Sequence, residues 1–422
     1  MHIVFFGDQH LESLGGAQVS MRLQKTHLER TGHTVTVVAP RMHGRRAREA
    51  MQDSAYLDLP SIPITPDREY SMTWPGGRTD RWLDAAMRDR PPVDLVHVQA
   101  DFWGAFIGHR FAARHGLPVV HTMHNRVDVG IEATAPFPGL VMRVLNAWER
   151  RALGPAAPSG IRSVAASSED AAQELPPSGA SPDSGDGWAY LRRLAERSDA
   201  VTAPSSHFAR RLERHGVFPS VDVIWNGIDD EIRADVLATA PPKADGRPHL
   251  VWLGRMSPEK RLLPFLEAVA LSGIDADIEV IGGGGQLRAA ERLVAKLEPA
   301  ASVVFAGRVP YADVLRRIAG ADAVVQTSIG FETQGMTVFE AATLGTPAVV
   351  SDPDIGAELE SGFWPVADDT VPALAVALRA AAADVAAGRA LHPNPAVAER
   401  FLQSSRTAAM IEVYERALAR HR

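Results

Sequence analysis

The chain of 422 residues contains no cysteine, which excludes disulfides, thiolate zinc sites, a cysteine nucleophile and iron–sulfur clusters. Nothing therefore points to an oxidising compartment. Lysine is nearly as scarce: Lys25, Lys243, Lys260 and Lys296 are the only four among 44 basic residues, so a lysine inside a motif is informative. Net positive charge is absent too; a balance of -7 argues against whole-surface attraction to nucleic acid, and no nucleic-acid partner is expected. No stretch approaches the roughly 18 uncharged apolar residues of a membrane span. The apolar start, Ile3 to Phe6, meets Asp8 at once and reads as a first strand, not a signal peptide. The expected location is the cytoplasm.

What is present is a globular composition, 45% hydrophobic and 23% charged. One core stops growing at roughly 250 to 300 residues, so two domains are expected. Short β-branched runs alternate with helical patterns: IVFFG at 3–7, a helix over 15–31, TVTVVAP at 34–40, DLVHV at 94–98, a helix near 104–115 and VVHTM at 119–123. In the first helix Ala17, Met21 and Leu28 share a face and Gly32 supplies the stop; Gly116 closes the second. Near-continuous apolar strands separated by helices imply a parallel sheet covered on both faces, an α/β architecture. Residues 153–187 break the rhythm with a Pro, Ala, Ser, Gly and Asp mixture and read as a mobile surface insertion. After a strand at 221–226 and a polar stretch at 239–248, a second series follows: HLVWLG, IEVIGG, VVFAG, AVVQTS and PAVVS. Two doubly wound halves, joined near 215–225, are implied.

Doubly wound sheets bind ligands beyond the carboxyl ends of their strands. After the first strand, GGAQ opens a helix with Gly15 and Gly16, letting backbone approach an anion, although glycines also start helices for steric reasons alone. His124 follows VVHTM, and His121 three residues earlier reads as structural. In LGRMSPEKRLLPF, Arg255 directly follows a strand and Lys260 starts the next helix; two cations at one helix start suit a diphosphate, the competing reading being a solvated helix start. IGGGGQL invites a dinucleotide reading, but Leu287 stands where the fingerprint needs Gly or Ala. In GFETQGMTVFEAATLGTP, a helix beginning near Gly335, with Met336 and Thr337 in its first turn, offers free amides to a phosphate. Glu332 lies in the loop before it, facing the reacting group, and Glu340, about one turn in, can accept both hydroxyls of a ribose.

The order of these motifs, GGAQ, a histidine after the fourth strand, NGID, GRMSPEK, GGGG and two glutamates eight apart ahead of EAATLGTP, resembles glycosyltransferase family 4 of the GT-B fold. The resemblance spans the chain apart from 41–90 and 153–187. It implies two doubly wound, Rossmann-like domains facing across a cleft: 1–220 for the acceptor, 221–395 for the nucleotide sugar, and a helix over 396–422 returning to the first domain. The apolar residues of that helix would be Phe401, Met410, Val413, Tyr414 and Leu418. The family also implies retaining transfer of a hexose from a UDP- or GDP-linked sugar, with no cofactor beyond that donor; two cations and a helix start already serve the diphosphate, so a metal is expected to be redundant. Carried over by motif, Arg255 and Lys260 bind the diphosphate, with the helix start at Gly335, Met336 and Thr337 also on the donor. Glu332 lies near the donor sugar, Glu340 on the ribose, Gly16 against the distal phosphate and His124 near the reacting centre. Two positions depart from the family: DPDIG at 352–356 replaces a Gly-Gly, and Arg261 stands where glycine is usual. Asp352 and Asp354 also mimic the D-x-D metal site of the other common glycosyltransferase fold, where an acidic pair holds a divalent ion on the diphosphate.

Within the family, ETQGMT and the block from VHVQADFWG to HTMHN are similar to enzymes that glycosylate diacylglycerol or phosphatidylinositol. Two basic segments fit an anionic membrane surface: RMHGRRAR at 41–48, with Arg45, Arg46 and Arg48, and LVMRVLNAWERRAL at 140–153, with Arg143, Arg150 and Arg151. A lipid acceptor and peripheral attachment to the inner face of the membrane are thus expected. The other readings are a family member with a soluble or polysaccharide acceptor, a GT-B sugar-nucleotide epimerase, and a non-catalytic sugar-nucleotide sensor.

Overall fold

The computed structural model describes residues 1–13, 16–44, 47, 53–65, 68, 70–127, 131, 137–154, 187–241 and 246–421. Gly15, most of the segment 153–187 and the arginines Arg45, Arg46 and Arg48 lie outside them.

The β-branched runs near the start pair because both faces of each strand are apolar. Strands β1 (His2–Gly7), β2 (Thr34–Pro40) and β3 (Tyr56–Leu59) are followed by a separate antiparallel pair, β4 (Ile62–Pro63) and β5 (Ser71–Met72). Then come β6 (Leu95–Gln99), β7 (Val119–Thr122), β8 (Ala200–Ala203) and β9 (Asp222–Val223). The main sheet has the order β3-β2-β1-β6-β7-β8-β9 and is parallel throughout. All six residues of β1 and all five of β6 are buried, as a sheet covered on both faces requires. The chain runs outward from β1 to β3, then returns to place β6 beside β1, so the topological switch point lies between β1 and β6.

The second series repeats the plan. Strands β10 (His249–Arg255), β11 (Asp277–Gly283), β12 (Ser302–Gly307), β13 (Ala323–Gln326), β14 (Ala348–Val350) and β15 (Phe363–Pro365) form a parallel sheet of order β12-β11-β10-β13-β14-β15. Its switch point lies between β10 and β13. The chain divides into two units, Met1–Trp225 with Arg406–Arg422, and Asn226–Ser405.

Two expectations shift. The strand expected over 221–226 is paired only at Asp222–Val223, on the sheet edge. Beyond it Asn226 leaves the ladder, donating its main-chain N–H to the Gln334 side chain at 3.0 Å. The helix expected over 396–422 is broken: Pro395–Arg400 is a short helix of the second unit, where Phe401 stacks on Phe339 at 5.6 Å, and the last helix is Gln403–His421. Its Met410, Val413, Tyr414 and Ala417 are buried among Ile3, Phe5 and Val35 of the first unit. The Tyr414 hydroxyl meets His97 Nδ1 at 2.7 Å, which satisfies a buried imidazole inside that core.

Candidate functional site

In the second unit the switch point brings the sequence-predicted residues together. Arg255, expected just past the strand, is the last residue of β10; the loop that follows carries a single 3-10 turn, Pro258–Lys260, and the loop after β13 carries Thr327, Ser328, Glu332 and Gly335. Thr327 Oγ1 donates to the Lys260 carbonyl at 2.6 Å, fastening one loop to the other. Lys260 Nζ donates to Glu332 Oε1, which also accepts the Ser328 hydroxyl at 2.8 Å. Arg255, exposed, pairs with Glu259 at 3.2 Å. A basic group on each side of one turn, each paired with an acid, is an arrangement an incoming diphosphate can take over by replacing carboxylate with phosphate oxygens.

Gly335 caps the helix Met336–Thr343 at φ 80, a conformation that favours glycine, and a Cβ there would lie 2.7 Å from Ile355 Cδ1, which would have to shift. The helix that starts there presents the amides of its first turn, Met336 and Thr337, without intrahelical acceptors. Glu340, buried in the same helix, accepts the Tyr311 hydroxyl at 2.7 Å. Burial raises the carboxyl pKa of Glu340 above its ordinary value, with the tyrosine's hydrogen bond pulling the other way. Tyr311 is itself pushed well above its ordinary value by burial first and the neighbouring Glu340 next.

The glycine run at 282–285 serves packing. At φ 129, Gly282 would set a Cβ 2.0 Å from the Gly254 carbonyl oxygen, and at Gly284 one would lie 2.5 Å from that of Met256. Only glycine lets the end of β11 lie against the loop after β10. Arg261 explains its own departure from the family: it sits at φ 55, the left-handed region that glycine occupies without penalty, and donates to the Asp369 carbonyl. Asp352 caps the helix Pro353–Leu359. Its Oδ1 accepts the Asp354 amide at 3.0 Å and its Oδ2 the Gly330 amide at 2.7 Å, so both oxygens are engaged by backbone.

The first unit holds the other two predicted residues at the carboxyl edge of its own sheet. Gly16 is exposed at the start of the helix Gly16–Arg30. His124 follows β7, and its main-chain N–H donates to Asp101 Oδ2 at 3.2 Å, which also accepts Asn125 Nδ2 at 2.7 Å. Burial holds the imidazole of His124 below its ordinary pKa; Asp101 opposes this and His121 adds to it. His121 is fully buried between Ala100 O at 2.8 Å and His109 Nε2 at 3.3 Å, the structural role expected of it.

Sequence reasoning missed several residues. Asp8 follows β1 and Asp101 follows β6, the two strands of the switch point. Asp8 accepts the amides of Asp101, Phe102 and Gly104 at 2.8, 3.1 and 2.8 Å, and burial, then Asp101, pushes its carboxyl up to about 7. Ser328, Tyr311 and the pair Gln334–Asn226, joined at 2.7 Å, complete the second unit's loops. Asp8 immediately follows β1, Asp101 and Ser328 lie just past β6 and β13, and Tyr311 lies a few residues past β12, so the strand-end rule applied to the glycines and histidine could have found them.

Two parallel, doubly wound sheets with polar clusters at their switch points define the GT-B class of α/β folds. HepE of Anabaena, solved in complex with UDP, is similar with a TM-score of 0.64 over 98% of this chain and 100% of its own, at 14% identity. Sucrose-phosphate synthase of Thermosynechococcus elongatus is similar at 0.65 over 99% of each chain, with 17% identity. Residues 14–176 and 168–232 match the family model Glycosyltransferase Family 4, and 237–362 match Glycosyl transferases group 1. This chain belongs to glycosyltransferase family 4. Its relatives include an alpha-monoglucosyldiacylglycerol synthase of Streptococcus pneumoniae, 24% identical over 83% of this chain and 70% of that one. A GDP-mannose-dependent alpha-mannosyltransferase of Mycolicibacterium smegmatis is 26% identical over 83% and 80%. A 2-deoxystreptamine N-acetyl-D-glucosaminyltransferase of Streptomyces fradiae is 23% identical over 80% and 74%.

Proposed function

We propose that this glycosyltransferase moves a hexose, with retention of configuration and without a metal, from a UDP- or GDP-linked sugar to a lipid hydroxyl such as that of diacylglycerol or phosphatidylinositol. The observation that carries the donor half is the Lys260–Glu332 pair beside the helix start at Gly335, at the switch point of the second sheet. There Lys260, Arg255 and the amides of Met336 and Thr337 offer fixed positive charge to a diphosphate. Glu340 is assigned to the ribose and Glu332 to the sugar. In the first unit, Gly16 is assigned a backbone contact to the distal phosphate. His124, whose imidazole burial holds below its ordinary pKa, is assigned a hydrogen bond beside the reacting carbon.

Retention follows if the acceptor attacks from the face the diphosphate leaves. The bond from the anomeric carbon to phosphate oxygen breaks, the bond to acceptor oxygen forms, and the acceptor's proton passes to the departing phosphate. Fixed cations and amides stabilise that leaving group, so the second unit supplies without a metal what an ion would otherwise supply. The name of the pneumococcal relative supports a lipid acceptor, and that of the Streptomyces relative favours a soluble aminocyclitol-type acceptor as the second reading. The proposed place of action is the cytoplasmic face of the cell membrane. Among the described residues no helix is long and apolar enough to cross it.

A screen of UDP- and GDP-hexoses for slow hydrolysis and for protection against thermal unfolding identifies the donor. Saturation at 100 times Kd should add about 2.7 kcal/mol of stability. The donor is then offered with detergent-dispersed diacylglycerol, phosphatidylinositol and soluble hydroxyl acceptors. Sugar on lipid is the expected result; efficient transfer to soluble acceptors alone would sink the lipid reading.

A further inference from the structure

The exposed apolar side chains of this protein are concentrated in one region. Of thirteen exposed large hydrophobics among the described residues, eight fall in two stretches of the first unit: Ile62, Ile64, Trp74 and Trp82, then Phe137, Leu140, Val141 and Val144. The second group lies on the helix Pro138–Leu153 and at its N-cap. Met142, Leu145 and Ala152 of that helix are buried in the core, together with Asn146 and Glu149. Phe137, Leu140, Val141 and Val144 recur at the spacing of one helix face, a stripe roughly 100° wide, and it points away from the core. Phe137 is 69% exposed, Leu140 56% and Val144 61%.

The two stretches meet. Trp148, one turn beyond Val144 on the same stripe, stacks on Trp74 with ring centroids 5.0 Å apart. Trp74 follows β5 and is 65% exposed, so the β4–β5 pair and the helix present a joined apolar edge with an aromatic pair at the seam.

Charge decides what this edge meets. The helix carries Arg143, Arg150 and Arg151, all exposed, and its single acid, Glu149, is buried and paired with Arg193. Arg68, Arg78 and Arg81 are exposed beside the first stretch. In a chain of net charge -7, the exposed surface of Pro138–Leu153, which groups more exposed large hydrophobics than any other described helix, thus carries basic charge and no exposed acid. A second copy of the chain would bring a surface with the same arginines; a bilayer of anionic lipid brings the opposite charge, and tryptophan settles at its headgroup level.

We propose that Phe137, Leu140, Val141 and Val144, with Trp74 and flanking Arg143, Arg150 and Arg151, form a docking surface for an anionic lipid bilayer. The proposal deepens the lipid-acceptor reading, and rests on it only for the purpose of docking. Each arginine near such a surface changes affinity by roughly fivefold, and the apolar stripe supplies the part that salt leaves in place.

The full chain is sedimented with vesicles of phosphatidylcholine alone and of phosphatidylcholine mixed with phosphatidylglycerol in equal parts, at low and high salt. Wild type should bind the mixed vesicles, weakly at high salt, and bind neutral vesicles poorly. Leu140→Asp with Val144→Asp, and separately Arg150→Glu with Arg151→Glu, should each lower binding about tenfold or more. Unfolding temperature and nucleoside diphosphate affinity should stay at wild-type values, since all four side chains are exposed and belong to the first unit, outside the residues assigned to the diphosphate. Wild type left in the supernatant with mixed vesicles at low salt overturns the proposal, as do variants that bind like wild type. A concentration-dependent dimer, seen by analytical ultracentrifugation and lost in Leu140→Asp with Val144→Asp while vesicle binding persists, assigns the face to a second copy instead. Glycosylation of detergent-dispersed lipid without vesicle binding removes this surface but leaves the acceptor reading; vesicle binding without any sugar on lipid does the reverse.

Discussion

Replacing Lys260 by alanine separates what its amine does for the fold from what it does for a ligand. The amine donates to Glu332, and the two side chains keep 22% and 17% of their surface in solvent. An ion pair that still touches water contributes about 0–1 kcal/mol net. Lys260→Ala should therefore cost little stability, with Tm moving by no more than about 2–4 °C. Against a diphosphate the same amine makes charge-assisted bonds worth about 1.5–3 kcal/mol. Their loss weakens binding by roughly 10- to 150-fold. Arg255→Ala should fall in the same range. Glu332→Gln should act in the opposite sense, because it removes the carboxylate that competes for the amine: nucleoside diphosphate binding is kept or tightened while sugar transfer drops. Titration calorimetry with UDP and GDP reads all three variants. A Lys260→Ala protein that binds as wild type would refute the placement of the diphosphate, and one that loses several kcal/mol of stability would show the pair to be structural.

Glu340→Gln should weaken nucleoside diphosphate binding, and Tyr311→Phe, which strips a buried carboxyl of its donor, should cost about 1–3 kcal/mol of stability in denaturant titration. The carboxyl of Asp8 sits at about 7 against an ordinary value of 3.8, so the folded state holds a proton that the unfolded chain has released across that interval. That contribution to stability is complete below pH 3.8 and is lost as pH rises through 7; Asp8→Asn should flatten Tm against pH over this window, and an unchanged slope would count against it. Arg261→Gly relieves a left-handed residue and should stabilise by about 1 kcal/mol, visible as a raised denaturant midpoint.

Most strands of both sheets were legible because each is a short, β-branched apolar run bounded by a turn, whereas β3, β8 and β15, of three or four residues, are too short to stand out. The grouping of Arg255, Lys260, Glu332 and Gly335 at one sheet edge was legible too, since Arg255 ends and the others follow strands that the switch-point rule singles out. The pairing of Lys260 with Glu332 was not, because the two are 72 positions apart and only the strand order β10–β13 makes them neighbours. Asp8 and Asp101 escaped for a related reason: a lone aspartate after a strand looks like any loop acid until the return of the chain beside β1 sets the two together. At the C-terminus, Phe401 has the same apolar character as Met410 and Val413, and pattern cannot say that it packs against Phe339 while they pack against β1. The segment 140–153 stood out by its arginines, but which face of Pro138–Leu153 is free did not, since Met142 and Leu145 on the buried face read no differently from Leu140 and Val144 on the free one.

The central claim is that fixed cations and a helix start in the second unit release a diphosphate and let the acceptor enter from the same face. Proton NMR of freshly formed product, from a reaction run in EDTA with the donor that the screen identifies, tests it most directly. The account predicts a product with the donor's anomeric configuration at an undiminished rate. An inverted product, or activity abolished by EDTA and restored by magnesium or manganese, would contradict it.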